Sequence, residues 1–152
     1  MADPIPTPDD HLKLGEFLCF AIYAAGHAFN RIYKPLLEPL GLTYPQFLVM
    51  VALWETDDQT VGGLGDKLTL DSSTLTPLLK RIEAMGLIRR ARDPADERQV
   101  RVRLTDQGRD LREQARAIPG CLMQASGLQL DDVRRLQREV TALRQALEGR
   151  AG

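Results

Sequence analysis

The segment from Gly62 to Leu104 constrains the fold more than any other part of the sequence. It starts with a short helical pattern, and a tight connection follows in which Asp71 or Ser72 is predicted to cap the next helix. That second helix is predicted over about 73–85, and Gly86 ends it because glycine readily adopts the left-handed conformation of a helix C-terminus. Two short helices joined by a turn of about four residues indicate a helix-turn-helix.

A basic β-hairpin is predicted directly after these helices. Residues 87–92 and 100–104 are short strand-like runs, and the turn-forming residues 93–97 lie between them. The second run alternates apolar and basic side chains with period two, so that one face packs and the other presents arginines. A hairpin in this position is a wing. The predicted fold class is therefore mainly α (α+β), a winged helix-turn-helix.

The charge distribution points to a nucleic acid more than the net charge of −1 does. Residues 1–79 carry four basic and ten acidic side chains, whereas residues 80–103 carry eight basic and four acidic side chains. A basic segment on an otherwise acidic chain is the footprint expected of a phosphate-binding surface, although a solvated helix face is about equally compatible with charge alone.

Hydroxyls and cations of this segment are the candidate DNA ligands, because a helix N-terminus in the major groove favours contacts to phosphates and base edges. Arg98 lies beside the wing tip, where a planar cation can enter a narrow minor groove. The full candidate set is Ser72, Ser73, Thr74, Thr76, Lys80, Arg81, Arg92, Arg98 and Arg101.

Helical patterns flank the predicted DNA-binding part. On the N-terminal side a long helix is predicted over about 12–32, led by Asp9-Asp10 and ended by Pro35, Pro39 and Gly41. A second helix is capped by Thr43.

On the C-terminal side, Thr105-Asp106 caps a helix that is predicted to break at Pro119-Gly120. A final amphipathic helix is predicted from about Asp131 to Leu147.

The sequence resembles the multiple-antibiotic-resistance regulator (MarR) family of bacterial winged-helix repressors, in its organic hydroperoxide resistance regulator branch. The wing carries the family's pattern in Asp96-Glu97-Arg98 and Leu104-Thr105, and three further segments match the branch: 17–21, 41–46 and 70–81. The resemblance spans roughly residues 12–118 and implies a homodimeric repressor that releases a pseudo-palindromic operator when a cysteine is oxidised. It further implies one domain over residues 1–152, with dimerisation helices at 1–42 and 106–152 and the winged helix-turn-helix at 43–105.

Cys19 is the candidate redox sensor, although a cysteine on an apolar helix face is commonly inert filler. Tyr23 lies one helical turn away, where a phenol can donate a hydrogen bond to a thiolate. Tyr33 lies ~21 Å from Cys19 along a straight helix, so it cannot contact Cys19 of its own chain unless the helix breaks. It can contact the Cys19 of a second chain if the first helices of a dimer pack antiparallel. The resemblance implies that Tyr23, Tyr33 and Tyr44 donate hydrogen bonds to the Cys19 thiolate and that an organic hydroperoxide is the effector. It also implies that Cys121 is a possible resolving thiol, with a small thiol as the alternative.

Several classes of protein are not supported by the sequence. It has no phosphate-cradling glycine loop, nucleophile elbow or paired carboxylates, so no catalytic residue and no cofactor are predicted, and His11 and His27 lack zinc-ligand spacing to the cysteines. No run approaches the ~18 apolar residues of a membrane span, the start does not match a signal peptide, and two cysteines are too few for a disulfide scaffold, so a cytoplasmic location is expected.

Three rival functions remain open at this point. In a ligand-sensing repressor of the same fold, Cys19 would only pack; in a thiol peroxidase, it would turn over peroxide; and in an architectural DNA-binding protein, nothing would be sensed.

Overall fold

The computed structural model describes residues 12–150 as seven helices and three strands, together with 3-10 turns at Leu14–Glu16 and Glu38–Leu40. The helices are α1 Leu18–Leu37, α2 Tyr44–Glu55, α3 Val61–Leu68, α4 Ser72–Ala84, α5 Asp106–Ala115, α6 Ile118–Ser126 and α7 Leu130–Glu148. The strands are β1 Gln59–Thr60, β2 Ile88–Arg92 and β3 Val100–Leu104. The mainly α fold class with a small sheet is confirmed.

The first helix begins later than the apolar pattern predicted. The pattern runs from residue 12, but the chain forms a 3-10 turn at Leu14–Glu16 and Phe17 is extended before α1 starts at Leu18. Gly15 lies in that turn, and glycine costs about 1 kcal/mol relative to alanine inside a helix. Asp9, Asp10 and His11 lie outside the described residues.

Side-chain caps fix the starts of helices in the DNA-binding part. The Thr43 hydroxyl accepts from the backbone N–H of Gln46, whose side chain accepts from the Thr43 N–H at 3.0 Å, which closes a capping box on α2. Asp71 is the cap of α4 and accepts from the Thr74 N–H at 2.9 Å. Gly86 follows α4 with φ +80°, as predicted for a glycine that ends a helix.

The wing belongs to a three-stranded antiparallel sheet of order β1-β3-β2. The hairpin β2–β3 lies where the sequence predicted it, and its register places Ile88 opposite Leu104 and Arg92 opposite Val100. The sequence indicated only a brief extended stretch near residue 60, and in the structure Gln59 and Thr60 pair with Val102 and Arg101. The wing is thereby joined to the residues before α3.

The core of the DNA-binding part lies between these helices and one face of the sheet. Its fully buried side chains come from α2, α3, α4, β2 and β3: Val49, Met50, Leu53, Leu64, Leu75, Leu79, Ile82, Ile88 and Val102.

The predicted break at Pro119-Gly120 is wrong by a few residues. Helix α5 ends at Ala115, and α6 already starts at Ile118, with Pro119 in its first turn. Proline is tolerated there because a first-turn N–H has no helical acceptor, so Pro119 starts a helix rather than ending one.

The chain divides into two compact units, Met1–Arg112 and Glu113–Gly152. The second unit contains α6, a turn at Gly127 with φ +67°, and the long helix α7. Along α7 the apolar side chains of Leu136, Val140 and Leu147 are exposed.

Among residues 12–150, no single helix is long and apolar enough to cross a membrane; Leu18–Leu40 and Tyr44–Glu55 meet that criterion only as a pair bent by 68°.

Candidate nucleic-acid interface and thiol site

Helix α4 separates its apolar and polar side chains. Leu75, Leu79 and Ile82 are fully buried, and most of the predicted DNA ligands on this helix are exposed on the other side. The exposed ones are Ser72, Ser73, Thr74, Lys80 and Arg81, and Thr76 is half-buried. The helix therefore has one continuous hydroxyl-rich and basic surface.

The N-terminus of α4 is ordered by Asp71. The Ser73 hydroxyl donates to Asp71 Oδ1 at 2.7 Å, and the Thr74 N–H donates to the same oxygen. These hydrogen bonds, that of Ser73 first, hold the pKa of Asp71 below its usual value. Ser73 keeps its hydroxyl oxygen as an acceptor, while its proton is directed to the cap.

The tip of the wing presents Arg98 to solvent. Its side chain is 91% exposed, yet Nε and Nη2 both donate to the Asp96 carboxylate, at 3.0 and 3.3 Å. The guanidinium thus pairs with a carboxylate of the same wing tip, and the hydrogen bonds from Arg98 keep the pKa of Asp96 below its usual value. Arg92 is also exposed and donates to the carbonyl of Glu97 at 3.0 Å.

Arg101 differs from the other predicted DNA ligands because its donors are used inside the fold. Its side chain is only 29% exposed, and Nε donates to Asp58 Oδ1 at 2.7 Å while Nη1 donates to Asp93 at 3.2 Å. Asp58 has a φ of +59° and also accepts from Arg103 at 3.0 Å. The hydrogen bond from Arg101, followed by that from Arg103, lowers the pKa of Asp58. Arg101 therefore anchors the wing to the α2–β1 turn, and its contact to DNA stays a prediction.

The role of Asp58 in organising the wing was not predicted from the sequence. Asp58 lies in an Asp57-Asp58 turn, and nothing local connects it to Arg101, which is 43 residues away.

Cys19 is the second residue of α1 and is exposed. The preceding Phe17 makes no side-chain cap, so the first-turn N–H groups near Cys19 carry the positive end of the helix dipole without a capping side chain. Tyr23, one turn on, is also exposed, and its ring meets His27 edge-on with centroids 4.4 Å apart. Within residues 12–150 no hydrogen bond joins Cys19 to a tyrosine. For Tyr33 this was expected, because the helix between the two residues is too long for contact.

Tyr33 and Tyr44 are brought together at the other end of α1. Their ring centroids are 4.6 Å apart, and Phe47 lies 5.9 Å from Tyr33. Burial raises the pKa of Tyr33, with a smaller contribution from Tyr44, and burial also raises the pKa of Tyr44. Both phenols consequently remain hydrogen-bond donors at neutral pH. Since α1 is unbroken from Leu18 to Leu37, this pair lies ~21 Å from Cys19 of the same chain along the helix.

Cys121 lies in the first half of α6, in the second unit, and is half-buried. Both cysteines are free thiols. Among residues 12–150, no three histidine, cysteine, aspartate or glutamate side chains are grouped to hold a metal ion.

Comparisons with known proteins place this arrangement in a context. A family model described as the transcriptional regulator SarA/Rot matches residues 31–115. The chain is 44% identical over 138 residues to the organic hydroperoxide resistance transcriptional regulator of Bacillus subtilis, covering 91% of this chain and 94% of that protein. It is 49% identical over 144 residues to the HTH-type transcriptional regulator TtmR of Methylorubrum extorquens, covering 95% of this chain and 74% of that protein.

Solved structures give the same picture. The overoxidized form of the regulator AbfR bound to DNA is 34% identical, with a TM-score of 0.77 over 93% of this chain and 98% of that one. Apo MarR from E. coli is 26% identical, with a TM-score of 0.66 over 84% of this chain and 96% of that one.

Proposed function

Since this chain belongs to the SarA/Rot family of transcriptional regulators and is a DNA-binding winged-helix protein of MarR type, we propose that it is a homodimeric repressor of which Cys19 is the peroxide sensor. In the reduced state it binds a pseudo-palindromic operator. Oxidation of Cys19 by an organic hydroperoxide then releases the DNA. The protein acts in the cytoplasm, where its DNA is found.

The position of Cys19 carries this proposal. The thiol is exposed in the first turn of α1, so a hydroperoxide can reach its sulfur atom from solvent. Phe20 and Ile22 lie beside it on the same helix and favour an organic over an inorganic peroxide.

The chemical step is a two-electron oxidation of sulfur. The Cys19 thiolate attacks the terminal oxygen of the hydroperoxide, the O–O bond breaks, and the leaving alkoxide takes a proton to become an alcohol. The product is a sulfenic acid at Cys19. A second thiol, of Cys121 or of a small molecule, then forms a disulfide with it and releases water, and thiol reductants restore the starting state.

Exposed apolar side chains on helices outside residues 43–105 support a dimer formed through these helices. In the first unit, α1 exposes Leu18, Ile22 and Phe29, and in the second unit α7 exposes Leu136 and Val140. Contiguous exposed apolar side chains of this kind mark interaction surfaces. If two copies of α1 pack antiparallel, the partner's Tyr33 approaches Cys19, which the straight helix prevents within one chain. We therefore assign residues 1–42 and 106–152 to dimerisation and 43–105 to DNA.

Oxidation weakens binding only if it disfavours the DNA-bound arrangement more than the free one. In this proposal a changed contact at Cys19 shifts the two copies of α1, and the separation of the two α4 helices changes with them. The two α4 helices must enter successive major grooves ~10 base pairs apart. A small change in their separation therefore prevents the dimer from binding both half-sites at the same time.

The test measures affinity for a duplex that the reduced protein selects from a random-sequence pool. Wild type, Cys19→Ser and Cys121→Ser are compared at one fixed salt concentration, before and after one equivalent of cumene hydroperoxide. We expect wild type to release the duplex and Cys19→Ser to stay bound. A reducible covalent dimer on a non-reducing gel, absent in Cys121→Ser, assigns Cys121 as the resolving thiol.

If wild type and Cys19→Ser both stay bound, Cys19 is not the sensor, and release would have to come from a small-molecule ligand. Sustained peroxide turnover with a thiol reductant would instead indicate a peroxidase.

A further inference from the structure

A cavity of about 460 Å³ lies on the outer face of the wing sheet, away from the core. Its walls include four arginine side chains, those of Arg89, Arg101, Arg103 and Arg109, and its lining also contains Ala91 and two carboxylates, those of Asp57 and Asp106. We call it the arginine pocket. All of its residues belong to the first unit, and neither the redox proposal nor the predicted DNA ligands other than Arg101 make use of it.

The strand register places two of these cations directly opposite each other. Arg89 of β2 pairs with Arg103 of β3 in the antiparallel ladder. Directly opposed residues on one sheet face have Cβ atoms about 4.5–5.5 Å apart, and like charges in such a pair destabilise the sheet. An anion bound to both Arg89 and Arg103 would relieve the repulsion between their positive charges.

The carboxylates near the pocket are already used by the other arginines. Asp58 accepts from Arg101 and Arg103 at 2.7 and 3.0 Å, and Asp57 and Asp106 accept from Arg109 at 3.4 and 2.6 Å. Asp93 accepts from Arg101 at 3.2 Å.

Within residues 12–150, Arg89 has no such partner, and Arg103 uses only Nε. The positive charge and the unused N–H donors are therefore concentrated at the Arg89–Arg103 pair.

Ala91 provides the space for a ligand. It lies two residues from Arg89 on the same strand and opposite Arg101, so a methyl group occupies the position between the long side chains. A larger side chain there would fill the cavity.

We propose that the arginine pocket binds a phosphate group, with Arg89 and Arg103 as its ligands. Two guanidinium groups offer planar pairs of N–H donors that match the several oxygens of a phosphate, and such charge-assisted pairs are the strong ones. The phosphate is supplied either by the backbone of the bound duplex or by free phosphate, and this binding does not depend on oxidation of Cys19.

The experiment compares wild type with Arg89→Gln and uses Arg112→Gln as the matched control. Arg112 is an exposed arginine on α5 outside the pocket, so both variants lose the same charge. In the first arm, thermal unfolding is recorded in sodium phosphate and in sodium chloride of equal ionic strength and pH. In the second arm, the affinity for the selected duplex is measured as a function of salt.

If free phosphate is the ligand, exchanging chloride for phosphate raises the melting temperature of wild type and Arg112→Gln more than that of Arg89→Gln, because the general stabilisation by phosphate is common to all three proteins. If the duplex supplies the phosphate, the slope of log K against log salt falls in magnitude by about 0.9 for Arg89→Gln and is unchanged for Arg112→Gln.

A structural readout accompanies both arms. Without phosphate or DNA and at low salt, Arg89→Gln melts at a higher temperature than wild type, because the repulsion from Arg103 is removed. An arginine that only supported the fold would lower the melting temperature instead. The proposal is overturned if Arg89→Gln and Arg112→Gln behave alike in both arms, or if Arg89→Gln melts lower than wild type.

Discussion

The orientation of single side chains decides what the wing can do. Arg98 and Arg101 lie three residues apart on one hairpin, yet one is 91% exposed and the other 29% exposed. Sequence alone identified both as basic wing residues. It could not separate them, because Asp58, which binds Arg101, is distant in the chain.

We expect Arg98→Ala to weaken operator binding by about 1–3 kcal/mol across related operator sequences, since an exposed planar cation at the wing tip is suited to the shape of a narrow minor groove. Fluorescence anisotropy with the selected duplex measures this. Arg116→Ala, which removes an exposed arginine paired with Glu113 on a helix surface, is the control. An unchanged affinity of Arg98→Ala would remove the wing tip from the interface.

Glu83 links α4 to β2 and gives a pH dependence with a defined sign. Its carboxylate accepts from the Arg90 N–H at 2.7 Å and from the Arg90 guanidinium at 3.1 Å. The hydrogen bond from the backbone N–H is the largest cause that holds the pKa of Glu83 below its usual 4.5. A carboxylate with a lowered pKa in the folded state contributes stability above the unfolded pKa, and this contribution is lost as the pH falls through the folded pKa.

Wild type should therefore lose more free energy of unfolding than Glu83→Gln between about pH 5 and pH 3. Urea denaturation at several pH values measures the difference. Glu113→Gln, which changes an exposed ion pair, should follow the wild-type curve. If the free energies of unfolding of wild type and Glu83→Gln change equally with pH, the pKa of Glu83 does not differ between the folded and unfolded states.

At the scale of elements, the sequence predicted those whose signals are local. Thr43, Asp71 and Gly86 set helix ends through their own backbone and side-chain chemistry, and the structure has those ends as predicted. The errors arise where a signal is ambiguous or distant. Pro119 suits either a helix end or a first turn, and the two-residue strand β1 exists only because β3 offers it an edge.

Helix α5 approaches the start of β2 so closely that only glycine fits at position 108. A Cβ added at Gly108 would lie 2.0 Å from the carbonyl oxygen of Leu87, and the Gly108 carbonyl itself accepts from Trp54 Nε1 at 2.8 Å. We expect Gly108→Ala to lower the free energy of unfolding by about 3 kcal/mol or more, as strong overpacking does.

Chemical denaturation tests this, with Gly62→Ala as the control, because a Cβ at Gly62 meets no atom within 4 Å. The control should equal wild type or exceed it by up to about 1 kcal/mol. Equal stability of Gly108→Ala and wild type would mean that α5 can move away from β2 without cost.

For the whole molecule, the candidate thiol site is the part that the sequence describes least. Cys19 and Tyr23 are exposed at one end of α1, and Tyr33 and Tyr44 pack together at the other end. The periodicity of apolar residues in one chain cannot distinguish a helix face that packs in the chain's own core from a helix face that packs against a second copy of the chain. Only the resemblance to known regulators related these residues to one another, and their common role stays a prediction.

A charge on the exposed stripe of α7 tests the dimer. We expect Leu136→Glu to sediment as a monomer and to bind the operator about tenfold or more weakly, because each half-site then binds without the other. Analytical ultracentrifugation and the duplex assay measure the two effects. Gln145→Glu adds the same charge nine residues on, about 180° around the helix, and should remain dimeric. A dimeric Leu136→Glu would place the contact elsewhere.

The pairing of β1 with β3 has a consequence for how the wing moves. Gln59 and Val102 are neighbours in the sheet although the whole helix-turn-helix lies between them in the chain. Opening the root of the wing therefore breaks the pairing of β1 with β3 as well as the hairpin, so its amide protons should exchange with solvent more slowly than those of the tip. The tip, residues 93–99, is closed by local hydrogen bonds and can exchange on its own. The wing therefore has a rigid root and a tip that can move on its own. The conformational entropy lost when the wing enters a DNA groove then comes from residues 93–99.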